Sequence, residues 1–63
     1  MLLNPRLGQK VQCWYKNHAL PLHGKIGVVK VVSRGKPRNH GVEVDGHLYI
    51  VPCGNLRRVM EAT

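Results

Sequence analysis

Trp14 stands on an alternating stretch between Gln12 and Lys16, with Lys10 further along the same side. An exposed indole beside two ammonium groups has the parts of a platform for nucleobases. The ring stacks on the base and the cations hold its phosphates, and each stacked base contributes about 1–3 kcal/mol. The alternative is structural: a Trp also serves to cover the end of a thin barrel or to plug a subunit interface. A second candidate is the loop Ser33-Arg34-Gly35-Lys36-Pro37-Arg38-Asn39-His40. Its Gly and Pro hold the backbone open while three cations alternate with small or neutral residues, a pattern that suits a phosphate backbone and equally suits plain solvation. Lys25, Lys30, Arg57 and Arg58 complete the set of cations expected to face a polyanion.

Charge distribution supports that expectation more than charge count does. The chain has ten Lys and Arg against three acids, a net charge of +7. Every full charge from Met1 to Val42 is positive, and Glu43, Asp45 and Glu61 all come later. A small surface so one-sided collects polyanions by releasing their counterions, and nucleic acid is the commonest of these. The sequence does not distinguish RNA from DNA, and low sequence specificity is expected. A competing expectation is a module that docks an acidic protein partner or assembles with itself, and net charge also serves solubility.

Catalysis lacks its parts. Ser33 is the only serine and Thr63 the only threonine, and no nucleophile sits beside a base. Paired carboxylates and a glycine-rich phosphate loop opening a helix are absent as well, so a binding protein is expected and not an enzyme. His18, His23, His40 and His47 lack the short spacing of zinc ligands, and no metal or cofactor is expected. Their modest expected role is to lend pH-dependent contacts to phosphate. Cys13 and Cys53 read as two buried free thiols rather than a disulfide.

The elements that must position these residues are strands. Nine Val, with seven Leu and Ile beyond the first three residues and no Phe, describe an aliphatic, β-branched core. A 63-residue chain buries only about 60% of the surface it exposes unfolded, so that core is thin. Met1 to Arg6 reads as an extended lead-in, residues 7–59 as one domain and residues 60–63 as a frayed tail. Gln9 to Lys16 alternates with Val11, Cys13 and Tyr15 on one face. In Ile26 to Val32 the alternation breaks at Val28-Val29 and Val31-Val32, which predicts a bulged or bent strand that changes face midway.

Gly41 to Val44 and His47 to Val51 form a hairpin across Asp45-Gly46. A two-residue loop pairs Val44 with His47. A three-residue loop with a bulge at Gly46 pairs Glu43 with His47, gathers Val42, Leu48 and Ile50 on one face and turns Tyr49 outward. The second register keeps more aliphatic surface together and is the one expected. Pro52 to Asn55 reads as one turn of 3₁₀ helix and Leu56 to Val59 as a last strand. Five short strands without a helix predict an all-β fold, a small five-stranded antiparallel SH3-like barrel whose closure removes most sheet edge. No apolar run approaches a membrane span, and Asn4-Pro5-Arg6 cuts short any secretory segment, so a cytoplasmic protein is expected.

Gly8-x-x-Val11, His23-Gly24-Lys25-Ile26-Gly27-Val28-Val29 and Val42-Glu43-Val44-Asp45-Gly46 together resemble a KOW-type motif, and Val51-Pro52-x-x-Asn55-Leu56-Arg57 recurs in small SH3-like barrels of that kind. The likeness covers about residues 7 to 59. It implies a module that binds RNA or protein partners through its loops; the Ser33 to His40 loop departs from it in being more basic. The chain is also similar, more weakly, to the plasmid-borne type II dihydrofolate reductases, SH3-like barrels whose four copies share a central pore. That family's pore segment reads Val-Gln-Ile-Tyr before its Pro, and here Leu48, Tyr49, Ile50 and Val51 retain only the Ile. Loss of the ligand-touching Gln removes the positioning on which the reaction relies, so this likeness implies kinship of fold without the activity.

Overall fold

The β-branched stretches become strands in the computed structural model, which describes residues 1–59. They are β1 (Lys10–Cys13), β2 (Ile26–Val31), β3 (Asn39–Val44), β4 (His47–Pro52) and β5 (Leu56–Arg58), with one turn of 3₁₀ helix at Cys53–Asn55. All pairings are antiparallel, in the order β4-β3-β2-β1-β5. The fold is therefore all-β, one five-stranded sheet. The expected tail, residues 60–63, lies outside the described residues.

Alternation decides which side of each strand is buried. Val11 and Cys13 of β1, Val29 of β2, Val42 and Val44 of β3, Val51 of β4 and Leu56 of β5 form a single cluster, each at most 3% exposed. A flat sheet cannot bring the inner faces of all five strands into one cluster, so the sheet curls around its core in a barrel-like way. No ladder joins β4 to β5 among the described residues, so the edges are not removed by closure as expected. Pro52 has no N–H to offer, and the 3₁₀ turn after it carries the chain from the edge beside β3 to the edge beside β1.

The break in the valine run is a register shift between Val29 and Val31. Val29 points into the core, whereas Val31 pairs with Gly41 on the outer face and Val32 packs back against the core. That is the midway change of face that the adjacent pairs predict. The hairpin departs from expectation. Val44 pairs with His47 and Val42 with Tyr49, which makes the loop two residues long. Both turn residues are left-handed, Asp45 at φ 51° and Gly46 at φ 81°. Such a turn matches the twist of its strands, and the aliphatic argument for the longer loop fails because Leu48 and Ile50 find company elsewhere. On the outer face they meet Val31 across Gly41, where an added Cβ would lie 2.9 Å from Val31 Cβ and 3.3 Å from Leu48 Cδ1. Tyr49 thus shares the inner face with Val42 but sits at the open edge, 36% exposed.

Two parts of the chain are tied more closely than their sequences suggest. The Leu2 N–H donates to the Cys53 carbonyl at 3.1 Å, Leu2 packs on the core and Pro5 is buried. His40, assigned to the loop by sequence, is the second residue of β3 and is fully buried. Its Nδ1 accepts from the Ser33 N–H at 3.1 Å, while its Nε2 has no partner. Cys13 is buried and Cys53 half-buried, both as free thiols, and burial pushes the Cys13 thiol up from its ordinary value.

Gly27 is the most crowded of the glycines. A Cβ there would lie 2.6 Å from the Glu43 carbonyl oxygen and 2.7 Å from both Val42 Cγ1 and Val44 Cγ2. Gly27→Ala should therefore cost about 3 kcal/mol or more in chemical denaturation, because backbone as well as side chains must give way. Gly54→Ala, where a Cβ meets nothing within 4 Å, should stay within about 0.5 kcal/mol. Equal losses in the two variants would contradict the assigned packing.

Candidate nucleic-acid interface

Trp14 lies one residue beyond β1 and is clamped from both sides by Asn55. Its N–H donates to the Asn55 carbonyl at 2.8 Å, and its own carbonyl accepts from Asn55 Nδ2 at 3.2 Å. The strand alternation carries Lys10, Gln12 and Trp14 to the outer face, and the β1–β5 register sets Arg57 opposite Gln12. Two consequences follow. Arg57 Nε donates to Gln12 Oε1 at 2.8 Å, and the guanidinium carbon stands 3.5 Å from the Trp14 ring centroid. This is a cation–π contact on a half-exposed ring. Gln12 passes the tie on by donating to the Gly24 carbonyl at 3.2 Å.

The loop between β1 and β2 adds two imidazoles. Turns at Asn17–Leu20 and Leu20–His23 bring His18 and His23 into a stack with centroids 4.1 Å apart and planes 15° apart. His23 in turn lies 4.3 Å from Trp14, tilted by 51°, and His18 meets the same ring at its edge, 5.7 Å away. His23 Nδ1 accepts from the Tyr15 N–H at 3.0 Å, which leaves the ring hydrogen on Nε2. Partial burial, then His18, then Arg57 hold the His23 pKa below its ordinary value. Each of these disfavours a positive charge on that ring.

Beside this cluster runs a rim of arginines with two shallow depressions. One, of about 530 Å³, is lined by Gln12, Ile26, Arg57, Arg58 and Val59. The other, of about 660 Å³, is lined by Asn4, Arg6, Leu7, Gly8, Gln9 and Arg58. Arg58 is common to both, so Arg6 lines one depression, Arg57 the other and Arg58 the two together. No carboxylate lines either depression among the described residues.

The structure thus brings together Lys10, Trp14, Arg57 and Arg58 of the residues singled out by sequence. It disperses the others. Lys25 stands 3.8 Å from Asp45, both exposed, an ion pair of little energetic weight that still offsets the charge. Arg38 is not a free loop cation: its Nη1 reaches the Leu3 carbonyl at 3.3 Å and Asn4 Oδ1 at 2.5 Å. Lys30, Arg34 and Lys36 are exposed without a partner among the described residues, and Lys16 is exposed in the β1–β2 loop. The contribution of His40 to a phosphate surface is excluded by its burial. Sequence reasoning missed Arg6 and Gln12 as members of the site, and it gave His18 and His23 a modest phosphate role without placing them beside Trp14. Alternation places Gln12 next to Trp14, but nothing local announces that β5 will deliver an arginine onto the indole.

Among the described residues, no three His, Cys, Asp or Glu side chains gather as a metal site requires. No helix there is long and apolar enough to cross a membrane. The chain matches no protein-family model, no curated protein and no solved structure.

Because Trp14 is the only tryptophan, its emission reports on this cluster alone. Arg57→Ala should shift that emission and lower stability by about 1 kcal/mol, the sum of a partly exposed cation–π contact and one hydrogen bond. Arg34→Ala should change neither measurably. Unchanged fluorescence in the Arg57 variant would show that the guanidinium does not rest on the ring.

Proposed function

We propose that the protein binds nucleic acid strands along the β1–β5 rim, with low sequence specificity and without catalysis, as a KOW-type SH3-like module in a cytoplasmic setting. The observation that carries this reading is the arginine track: Arg6 and Arg57 line two depressions that share Arg58, and Arg57 rests on the chain's only Trp. Successive phosphates of an extended strand lie about one nucleotide apart and match a track of separate cations better than a single pocket would. Arg57 is held by Trp14 and Gln12 through its ring-facing side and Nε, so its terminal N–H groups are preorganised for phosphate at reduced entropic cost. Lys10 flanks the track on the outer face.

A second reading, assembly with a second copy of the chain, is favoured by β4. It is an edge strand of six residues, His47 to Pro52, and the only strand with no fully charged side chain. Leu48 and Ile50 on it are 55% and 65% exposed. Two chains of net charge +7 approach each other with least repulsion along such a strand, whereas an acidic partner finds no cation there to hold. Sedimentation should reveal a dimer that Ile50→Lys dissolves. A monomer at all accessible concentrations would end this reading and leave the first untouched.

For strand binding, contacts from Arg6, Lys10, Arg57 and Arg58 imply a log–log salt slope of about −3 for single strands. Replacing Arg57 and Arg58 by Gln should flatten that slope by about 1 to 1.5, while the same change at Arg34 and Lys36 should leave it nearly unaltered. A thymidine octamer titrated at several salt concentrations tests this. No binding at low salt, or a slope insensitive to the rim pair, would overturn the assignment.

A further inference from the structure

We infer that the depression lined by Gln12, Ile26 and Arg57 is a nucleobase subsite: an unpaired base of the bound strand rests there against Ile26 while Arg57 holds its phosphate. The inference rests on the strand-binding reading and adds a seat for the bases, which the arginines alone do not provide. Trp14 is not that seat. The Arg57 guanidinium carbon stands 3.5 Å from its ring centroid and His23 4.3 Å from it, so the indole has little bare face to offer. The depression beside it is open. Its volume of about 530 Å³ falls within the range of about 300–1,000 Å³ typical of small-molecule sites, and Arg58 and Val59 complete its lining.

Strand register builds the subsite. Gln12 on β1 lies directly opposite Ile26 on β2 and Arg57 on β5. Directly opposed residues share a face, with Cβ atoms about 4.5–5.5 Å apart, so the three side chains stand in one row across the sheet. Ile26 and Arg57 are two strand spacings apart, about 10 Å, within the reach of one nucleotide from phosphate to base. Each member of the row has its own task. Arg57, tied through Nε, keeps its terminal N–H groups for a phosphate oxygen. Gln12 is engaged at both ends, its Oε1 by Arg57 and its Nε2 on the Gly24 carbonyl, and has little left with which to prefer one base edge over another. Ile26 supplies the apolar contact. It is 53% exposed and outside the core cluster, and the face of a base covers such apolar surface favourably. Low selectivity follows, because every base has such a face.

Two probes separate bases from backbone. A thymidine octamer carries both, and an octamer of tetrahydrofuran abasic sites carries the phosphates alone. Ile26→Thr keeps the β-branch that a strand favours and removes apolar surface at an exposed position, so it should fold as the unmodified protein does. It should weaken the thymidine octamer about fivefold, leave the abasic octamer within about 1.5-fold and preserve the salt slope of both. Leu20→Thr, at another exposed aliphatic in the β1–β2 loop, should change binding of neither strand. In the unmodified protein, ring current from a seated base should move the Ile26 methyl resonances upfield, and the abasic strand should leave them in place. Unmoved methyl resonances, or an equal effect of Ile26→Thr on the two strands, would overturn the subsite while salt-dependent binding leaves the strand-binding reading intact. Failure of both octamers to bind at low salt would overturn both.

Discussion

The fold turns on a side chain that is absent. At Gly27 the space a Cβ would need is already filled by the Glu43 carbonyl oxygen and by Val42 and Val44. That close approach lets β3 lie down over β2, so a single sheet of five strands can curl until all of them reach one core. The core that results is made of small aliphatics, five Val, one Leu and one Cys, with the His40 ring beside them. Nothing in it is large enough to leave a cleft when the sheet bends. The two depressions lie at the rim, outside that core.

The two ends of the sheet have acquired opposite characters. Along β1 and β5 the arginines and the aromatic cluster make a cationic edge, whereas across β2, β3 and β4 Val31, Leu48 and Ile50 make an apolar patch over Gly41. Net charge alone does not predict this partition. Two cations are spent internally, Lys25 on Asp45 and Arg38 on the first residues of the chain. What remains available is set by where strands end, and β5, only three residues long, presents Arg57 and Arg58 because it lies at an edge. The contact between Arg57 and Trp14 changes the role of the indole. One of its faces carries the Arg57 guanidinium and is not the bare surface its sequence neighbours suggest.

Much of the architecture was legible in the chain itself. Alternation at Val11 and Cys13, the paired valines that force a bulge, the Asp45-Gly46 turn and the 3₁₀ turn after Pro52 are local signals, each depending on residues a few positions apart. Where local signals compete, legibility ends. The Asp45-Gly46 dipeptide accommodates either register, and clustering of aliphatics pointed to the longer loop because the chain gives no sign that Val31 stands across Gly41 beside Leu48 and Ile50. His40 looked like part of a polar loop because its neighbours are polar; it is buried because β3 begins one residue before it and its ring faces inward.

The sequence by itself determined the all-β class, the positions of the strands and the excess of positive charge, since periodicity, turn chemistry and composition act over short range. Only the tertiary structure decided which cations stand together and which aromatic they rest on. Those outcomes depend on the pairing of β1 with β5, and strand pairing between distant segments is settled by burial of the whole inner face rather than by any residue's own preference.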